Sequence, residues 1–409
     1  MRNNERDNEI RPSEKHIPLR IIGFVLAFIT AVCAFAFGVN RIGYKQEGMY
    51  ELTAAADQEL PLYQSGIHAK LLFRGSSSQI KLALGQADKV YTEALKQSFK
   101  LLDAGQEYDG IVNLATLNAR PNADMTVSPE LFAVLQDAWA KTLERQGYSL
   151  FAGPVYAEWN SILNLTEPED FDPLRNEEEA SRLAQLEQRT GDMDGLRLIT
   201  VDEASCTLRL EVPEDYLAFL RDMELEPVVL DLNLLREAYL LELVAAELET
   251  QGLNQGFLST DSGLILSLSG NDRGEYALYG AGEEPKLVAT AKAAPGSAYS
   301  LMTAFPLVTG VESPYYTMED SGKIHLRHPF LPADGRDREV LLSSGVLRTD
   351  GKLAEACYEN LRLRRAESMT ELEELAKASD AAVAWLLQGD GSGTVYRNAK
   401  AEGLFLPNE

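Results

Sequence analysis

Cysteine and histidine are scarce, three and four in 409 residues. Three thiols cannot build a dense disulfide framework or an all-cysteine tetrahedral zinc site. Positive charge is also short. Lys and Arg number 38 against 63 Asp and Glu, a formal net charge of −25. Nucleic-acid affinity rests on Lys and Arg neutralising phosphates, so this balance excludes a nucleic-acid binder. Common chemical signatures are missing as well. There is no G-x-S-x-G, H-E-x-x-H, P-loop or C-x-x-C. No G-x-G-x-x-G lies at a strand-to-helix junction, so a Rossmann nucleotide site is unsupported. Internal repeats, low-complexity tracts and an obvious domain linker are absent too. What remains is a 45% hydrophobic chain, in the globular range, long enough for a sizeable core.

The longest apolar run is Ile21 to Val39, IIGFVLAFITAVCAFAFGV. It is uncharged, and about 20 such residues span a bilayer. Arg2, Arg6, Arg11, Lys15 and Arg20 precede it, whereas only Arg41 and Lys45 follow it up to residue 60. The positive-inside rule therefore predicts a cytoplasmic tail at 1–20, a transmembrane signal-anchor at 21–39 and an extracytoplasmic remainder. A cleaved signal peptide is the rival, since Ala34-Phe35-Ala36 resembles a small-residue cleavage site. The long polar n-region and long h-region favour the retained anchor. Val32 before Cys33 argues against a lipoprotein site. Five positive and four negative charges lie in residues 1–20. The acidity therefore belongs to the part beyond the span, with 33 Lys and Arg against 59 Asp and Glu. Such a surface is soluble and does not favour docking to anionic lipid.

Residues 40–64 read as a stalk and 65–409 as one domain. His68 to Phe73 suits a strand. Gln86 to Leu102 carries a helical apolar stripe. Ser128-Pro129-Glu130 opens a helix with an N-cap, Pro at the first position and an acid in the first turn. Its expected apolar face is Leu131, Val134, Leu135, Ala138, Trp139 and Leu143, with Gly147 as the stop. Residues 175–189 suit a surface helix. Leu196–Val201 and Cys206–Val212 predict a hairpin around Asp202–Ser205. Leu232 to Thr250 predicts a helix ending at Gly252. Gly263–Ser269 and Glu275–Tyr279 predict a second hairpin. Helices follow Asp350 and a capping box at Thr370 to Glu373, and short strands close the chain near Thr394–Arg397 and Gly403–Leu406. Strands and helices without regular βαβ alternation imply an α+β fold.

Few residues outside the apolar pattern suggest chemistry. His325 and His328 are three apart before Pro329, and in an extended segment their rings face opposite ways. Cys206 and Cys357 either pair in an oxidising compartment or are two buried thiols. Asp390-Gly391-Ser392-Gly393 suits a hairpin turn. Glu355 and Glu359 are four apart on a helix and share one face. They either hold a hard cation or form a solvated helix face.

Several patches, in order, resemble the ApbE family, the FAD:protein FMN transferases. NLATLNARPNADMTVSPELFAVLQDAW, Asn113 to Trp139, resembles the family's S-x-I-x-x-L-N … V-S-x-E-L, matched by Asn118 and by Val127 to Leu131. Gly147, Gly153-Pro154 and Trp159 resemble G-x-F-D-x-T-x-G-P-L-x-x-x-W, without the Phe-Asp pair. LDLNLLREAYLLELV, Leu230 to Val244, resembles D-L-G-G-I-x-K-G-Y-x-x-D through Asp231, Leu232, Leu235 and Tyr239. There Asn233 and Leu234 replace the two Gly, Glu237 the Lys, Ala238 the next Gly and Glu242 the final Asp. Ser262-Gly263 stands in for the Gly-Gly of N-x-G-G-D. IHLRHPFLPADGR, Ile324 to Arg336, resembles H-H-I-x-D-P-x-T-G-x-P through His325 and Pro329. LAEACYENL, Leu353 to Leu361, resembles A-D-A-x-x-T-A-L, with Glu355 and Glu359 in place of Asp and Thr.

The resemblance implies an ApbE-like, T-fold-related mixed sheet-and-helix domain. It implies FAD as substrate, Mg²⁺ as cofactor and transfer of FMN to a Thr of an extracytoplasmic redox protein, with AMP released. It assigns Asn118, Asp231, Tyr239, Gly263 and His325 to flavin-nucleotide binding, and Glu355 and Glu359 to the metal. The replaced residues open an alternative: a catalytically degenerate relative acting as a flavin-binding or protein-interaction module. Polar and Gly positions differ while apolar ones persist, as expected when a fold is kept and a site is rebuilt. Glu237 is expected as a solvated or paired helix residue.

Overall fold

The computed structural model describes residues 45–57, 66–165, 167–191, 195–233, 235–271, 274–280, 286–292, 294–303, 316–320, 323–327, 340–387 and 394–407. The expected cytoplasmic tail and anchor, 1–39, lie outside the described residues. So do Leu234, His328, Pro329 and Asp390–Gly393. No helix among the described residues is long and apolar enough to cross a membrane.

In chain order the elements are β1 (Gly48–Glu51), β2 (Ile67–Phe73), α1 (Ser77–Leu101), α2 (Leu114–Ala119), β3 (Asp124–Thr126), α3 (Pro129–Leu143), α4 (Gly153–Leu163) and α5 (Glu177–Gly191). Then come β4 (Arg197–Asp202), β5 (Thr207–Glu211), α6 (Glu214–Asp222), α7 (Leu235–Thr250), β6 (Gly256–Thr260), β7 (Leu264–Ser267), β8 (Glu275–Gly280) and β9 (Lys286–Lys292). The last are β10 (Ala298–Thr303), β11 (Tyr316–Asp320), β12 (Lys323–Arg327), β13 (Leu341–Arg348), α8 (Leu353–Arg364), α9 (Met369–Ala378), β14 (Ala382–Leu387), β15 (Tyr396–Arg397) and β16 (Leu406–Pro407). The fold is α+β.

The chain divides into two compact units, Met1–Gly48 with Phe73–Ala83, and Met49–Leu72 with Leu84–Glu409. In the described part of the first, Gly75 N–H donates to Glu47 Oε1 at 2.9 Å and Lys45 N–H to Ser77 Oγ at 2.9 Å. Ser76 N–H and Oγ both donate to Gln79 Oε1, which secures the start of α1. The second unit holds nearly everything else.

Its centre is an eight-stranded sheet in the order β1-β2-β6-β7-β10-β13-β14-β15. From β2 to β15 each neighbouring pair runs antiparallel. β1 falls inside the segment read as a stalk, and it forms the sheet's edge. Side chains alternate along β14 with period 2. Ala382, Ala384 and Leu386 join Tyr276, Tyr299, Leu301, Leu347 and Phe405 on one face, under the small sheet β16-β9-β8. Val383 and Trp385 join Val346, Ala356, Leu363, Leu372 and Ala376 on the other, under α8 and α9. Gly345 permits the close approach of the Tyr299 ring, which a Cβ there would strike. A third sheet, β3-β5-β4, contains the expected hairpin around Asp202–Ser205. The pair β11-β12 makes a two-stranded sheet.

Local signals place most helices. Ser128 Oγ accepts from Leu131 N–H at 3.2 Å and Pro129 opens α3. After α7, Gly252 has φ +75, and Leu253 N–H returns to Leu248 O at 2.9 Å, a left-handed C-terminal wrap.

Three expectations are corrected. Gly263–Ser269 and Glu275–Tyr279 do not pair with each other: β7 lies between β6 and β10, and β8 pairs with β9. After β7, Gly270 N–H bonds Asn254 O at 2.8 Å. A Cβ on Gly270 would press on the Asn254 side chain. The cap of α9 is Ser368, not Thr370. Ser368 Oγ accepts from Glu371 N–H while Glu371 Oε2 accepts from Glu367 N–H. On α3 the chain stops being helical before Gly147, Leu143 is 54% exposed, and Lys141 and Thr142 are the buried pair. Cys206 and Cys357 are not joined by a disulfide.

Candidate functional site

Apart from His325 on β12, the residues singled out by the sequence lie on α2, the segment Val228–Asn233, the first turns of α7, the β6–β7 turn and α8. Asn118 lies near the end of α2. Its Nδ2 donates to Leu230 O at 2.9 Å and its Oδ1 accepts from Leu230 N–H at 2.7 Å. A carboxamide paired with both the N–H and the C=O of one residue copies a sheet ladder and fixes the Leu230 backbone. α2 is itself rigid, because Asn113 and Thr116 form a capping box and Asn113 Nδ2 binds Gln106 O at 2.7 Å.

Further ties hold the same segment. Asp231 N–H donates to Leu150 O at 2.9 Å, and Tyr148 Oη donates to Leu232 O at 3.3 Å. Gly153 packs so closely on Val228 that a Cβ would collide with its carbonyl. Asp231 is buried, its Oδ1 accepts from Asn233 N–H at 2.7 Å, and burial raises its pKa against that bond. Asn233, which stands where the resembling motif has Gly, takes φ +55, in the left-handed region. Asn is among the few side chains that tolerate this geometry, through local hydrogen bonds. Its Nδ2 donates to Ser149 O at 3.1 Å.

On α7, Glu237 is partly buried and paired. Its Oε2 accepts from Ser262 Oγ, and Ser262 Oγ also meets Thr260 Oγ1 at 2.6 Å. Burial raises the Glu237 pKa, opposed by the Ser262 bond and by Arg236. Gly263, at φ +102, makes the β6–β7 turn, and its carbonyl accepts from Leu301 N–H at 3.0 Å. Beside it, Asp261 Oδ1 lies 3.0 Å from His68 Nε2, whose Nδ1 lies 3.0 Å from Glu51 Oε1.

A second cluster joins α3, α7 and α8. Tyr239 Oη donates to Asp137 Oδ2 at 2.6 Å, and burial drives the Tyr239 pKa well up. Lys141 Nζ donates to the same Asp137 oxygen at 2.7 Å and pairs with Glu355 Oε2 at 2.8 Å. Burial by itself would lower the Lys141 pKa, and the two carboxylates outweigh it, so the net shift is upward. Glu242 Oε1 accepts from Ala354 N–H at 2.9 Å and so caps the start of α8. Burial pushes Glu242 up to about 6 against that bond.

Glu359 is held elsewhere. Its Oε1 takes Arg348 Nη1 at 2.6 Å and its Oε2 accepts from Ser379 Oγ. Arg348 also forks onto Asp350, at 3.0 and 2.7 Å, which lowers the Asp350 pKa. Glu355 and Glu359 thus share a helix face but turn to different cations. Among the described residues, no group of three or more His, Cys, Asp or Glu could hold a metal ion. His325 lies on β12 opposite Met318; its side chain is outside the described residues. The structure therefore brings Asn118 and Asp231 to one segment, Gly263 to the Glu237–Ser262 pair, and Tyr239 with Glu355 to the Lys141 cluster.

Sequence reasoning missed Lys141, Asp137, Arg348 and Ser262 as partners. Lys141 had a signal: it continues the Val134–Ala138 stripe at helical spacing, four residues after Asp137.

No family model and no curated protein matches the chain. Solved structures do. The ApbE protein of Thermotoga maritima is 14% identical, with 87% of this chain and 99% of that one covered at a TM-score of 0.59. The chain has an ApbE-like fold. Flavin transferase ApbE from Vibrio cholerae is 12% identical, covering 88% and 99% at 0.55. The flavinyl transferase ApbE of Pseudomonas stutzeri, in its apo form, is 14% identical, covering 88% and 98% at 0.55. These ApbE structures are matched over almost their whole length and over 87–88% of this chain, at identities that speak of fold alone.

Proposed function

We propose that this chain is a membrane-tethered ApbE-like protein that has lost metal-dependent FMN transfer and works as an extracytoplasmic binding module. One observation carries the reading: Glu237 accepts a hydrogen bond from Ser262. In the resembling family these positions hold a Lys and a Gly, a cation and an open backbone suited to an anionic diphosphate. Here they hold an acid and a hydroxyl that satisfy each other. Asn118, assigned to flavin by the resemblance, has both amide atoms committed to Leu230. The donor set at Glu355 and Glu359 does not fit a divalent metal, because each carboxylate is already paired with a cation. No step through Mg²⁺ or FAD is derived for this chain.

The tether rests on the charge step around Ile21–Val39. Protease protection of the N-terminus in inside-out and right-side-out vesicles tests it, and release of a shortened soluble chain would favour the cleaved signal instead. For the activity, the full chain is incubated with FAD, Mg²⁺ and a Thr-bearing acceptor domain. The expected acceptor carries no covalent flavin fluorescence on a denaturing gel. A flavinylated acceptor overturns the proposal and restores the FMN transferase reading, which the ordered patches and the fold match over 87–88% of the chain support. Quenching of FAD fluorescence without transfer would make the module flavin-binding. No quenching at millimolar FAD would leave protein interaction.

A further inference from the structure

The Lys141 cluster brings two carboxylates from different helices onto one ammonium. Asp137 Oδ2 comes from α3, Glu355 Oε2 from α8, and both point at Lys141 Nζ, at 2.7 and 2.8 Å. The Lys141 side chain is only 4% exposed, while its partners Asp137 and Glu355 are 49% and 31% exposed. Burying a charge costs several kcal/mol unless it is paired and hydrogen-bonded. Tyr239 Oη fixes Asp137 from α7, and the Tyr358 ring lies 5.7 Å from Nζ on the remaining side. This is a charge held by three helices, not a surface pair.

We propose that Lys141 is a tethered cation that takes the place of a metal ion at this face, so that the carboxylates of α3 and α8 bind no divalent cation while it is present. Mg²⁺ sits about 2 Å from its oxygens and demands octahedral geometry. An ion at that distance from Glu355 Oε2 would share the oxygen with the ammonium and lie within about 5 Å of it, so the two positive charges repel and each weakens the hold of the other. Glu359 repeats the arrangement with the Arg348 guanidinium at 2.6 Å. A tethered cation differs from a bound one in three ways: it cannot be chelated, it carries half the charge, and its stem locks one helix to another. The proposal takes its location from the ApbE-like fold, but the absence of transfer activity is no part of its support.

The test is binding of Mn²⁺ to the untagged full chain in detergent, read as loss of the free-ion electron paramagnetic resonance signal at moderate salt. Wild type and Glu355→Gln are expected to give the same signal at millimolar Mn²⁺, because no ion rests on that carboxylate. Mn²⁺ bound by wild type and released by Glu355→Gln overturns the proposal. Lys141→Met, checked for folding by circular dichroism, is expected to gain a site that the Lys141→Met/Glu355→Gln double variant loses. Lys141→Arg keeps a cation and is expected to gain none. A folded Lys141→Met that gains no site also overturns the proposal. If that variant does not fold, the comparison of wild type with Glu355→Gln decides alone. FMN transfer that persists in a chelator would defeat the functional proposal above and leave this one standing.

Discussion

The two faces of the eight-stranded sheet are built on different chemistry. Under β8 and β9 the contact is almost entirely apolar and aromatic: the Tyr276 and Tyr299 rings lie 4.9 Å apart, and Tyr299 and Phe405 6.1 Å apart. Their few polar atoms are satisfied locally, as where Tyr299 Oη donates to Ala277 O at 2.9 Å. Under α8 a buried polar ladder runs across the strands. Asn360 Nδ2 donates to Ser300 O at 2.9 Å, and Asn360 Oδ1 accepts from Ser344 Oγ at 2.6 Å. Apolar packing tolerates small shifts, whereas paired donors and acceptors do not. Together with the apolar contacts of Ala356 and Leu363, these bonds fix the rotation of α8 about its axis. That rotation aims Glu355 at Lys141 and Glu359 at Arg348.

The sharpest way to break this contrast is to damage each face in turn. On the apolar face, Tyr299→Ala should cost the most, about 3–5 kcal/mol, as expected for an aromatic-to-Ala truncation in a core. Urea unfolding would show it, and a loss below about 1 kcal/mol would mean the ring is not core-forming. On the polar face, Asn360→Ala leaves Ser344 Oγ buried without its acceptor. It should cost about 1–3 kcal/mol, the penalty for one orphaned buried group. It should also loosen α8, seen as faster amide exchange in Leu353–Arg364 than Tyr299→Ala produces at matched stability. Equal exchange in the two variants would refute the idea that the ladder orients the helix.

The contrast also has a pH signature. Glu242 on the helix side keeps its proton up to about 6, above the ordinary carboxylate value of 4.5. Between those values the folded state holds more protons than the unfolded one, so this group's contribution to stability falls as pH rises. The loss is about 2 kcal/mol, at about 1.4 kcal/mol per unit. Glu242→Gln should remove that slope between pH 4.5 and 6 in paired thermal melts. Asp350, lowered by Arg348, has the opposite sign: its contribution is present above its ordinary value and fades as pH falls. The smallest effect is expected at the margin of the polar face, where Ser368→Ala removes the cap of α9 at about 1 kcal/mol. Circular dichroism melts would read it.

Elements defined by neighbours in sequence were legible. The Ser128 cap, the Asp202–Ser205 hairpin and the α7 stop at Gly252 follow from side chains within a few residues of each other. Partners defined by the fold were not. The alternation in β7 and β8 announced two strands but could not say which strands they join, since period 2 specifies a face rather than a neighbour. Asn118 was singled out through the family resemblance, yet its bond to Leu230 spans 112 residues and leaves no local trace. Lys141 was missed, since its place four residues after Asp137 implies no more than an ordinary i,i+4 pair on a helix. Only the arrival of Glu355 and Tyr358 from α8 makes it a buried charge. His325 was singled out by resemblance, and its backbone is paired in β12.

The pairing of β2 with β6 has a consequence for synthesis. Ile67 lies opposite Thr260, and the two strands are adjacent in the sheet. During translation β2 emerges long before its partner. Its unpaired edge must wait while some 190 residues are added, at about 5–20 residues per second, an interval on the order of ten seconds or more. Helices α1 to α7 can form in that time, but the central sheet cannot. A nascent chain stalled before β6 should therefore carry helices, an open strand edge and a need for a chaperone that a chain stalled after β14 no longer has.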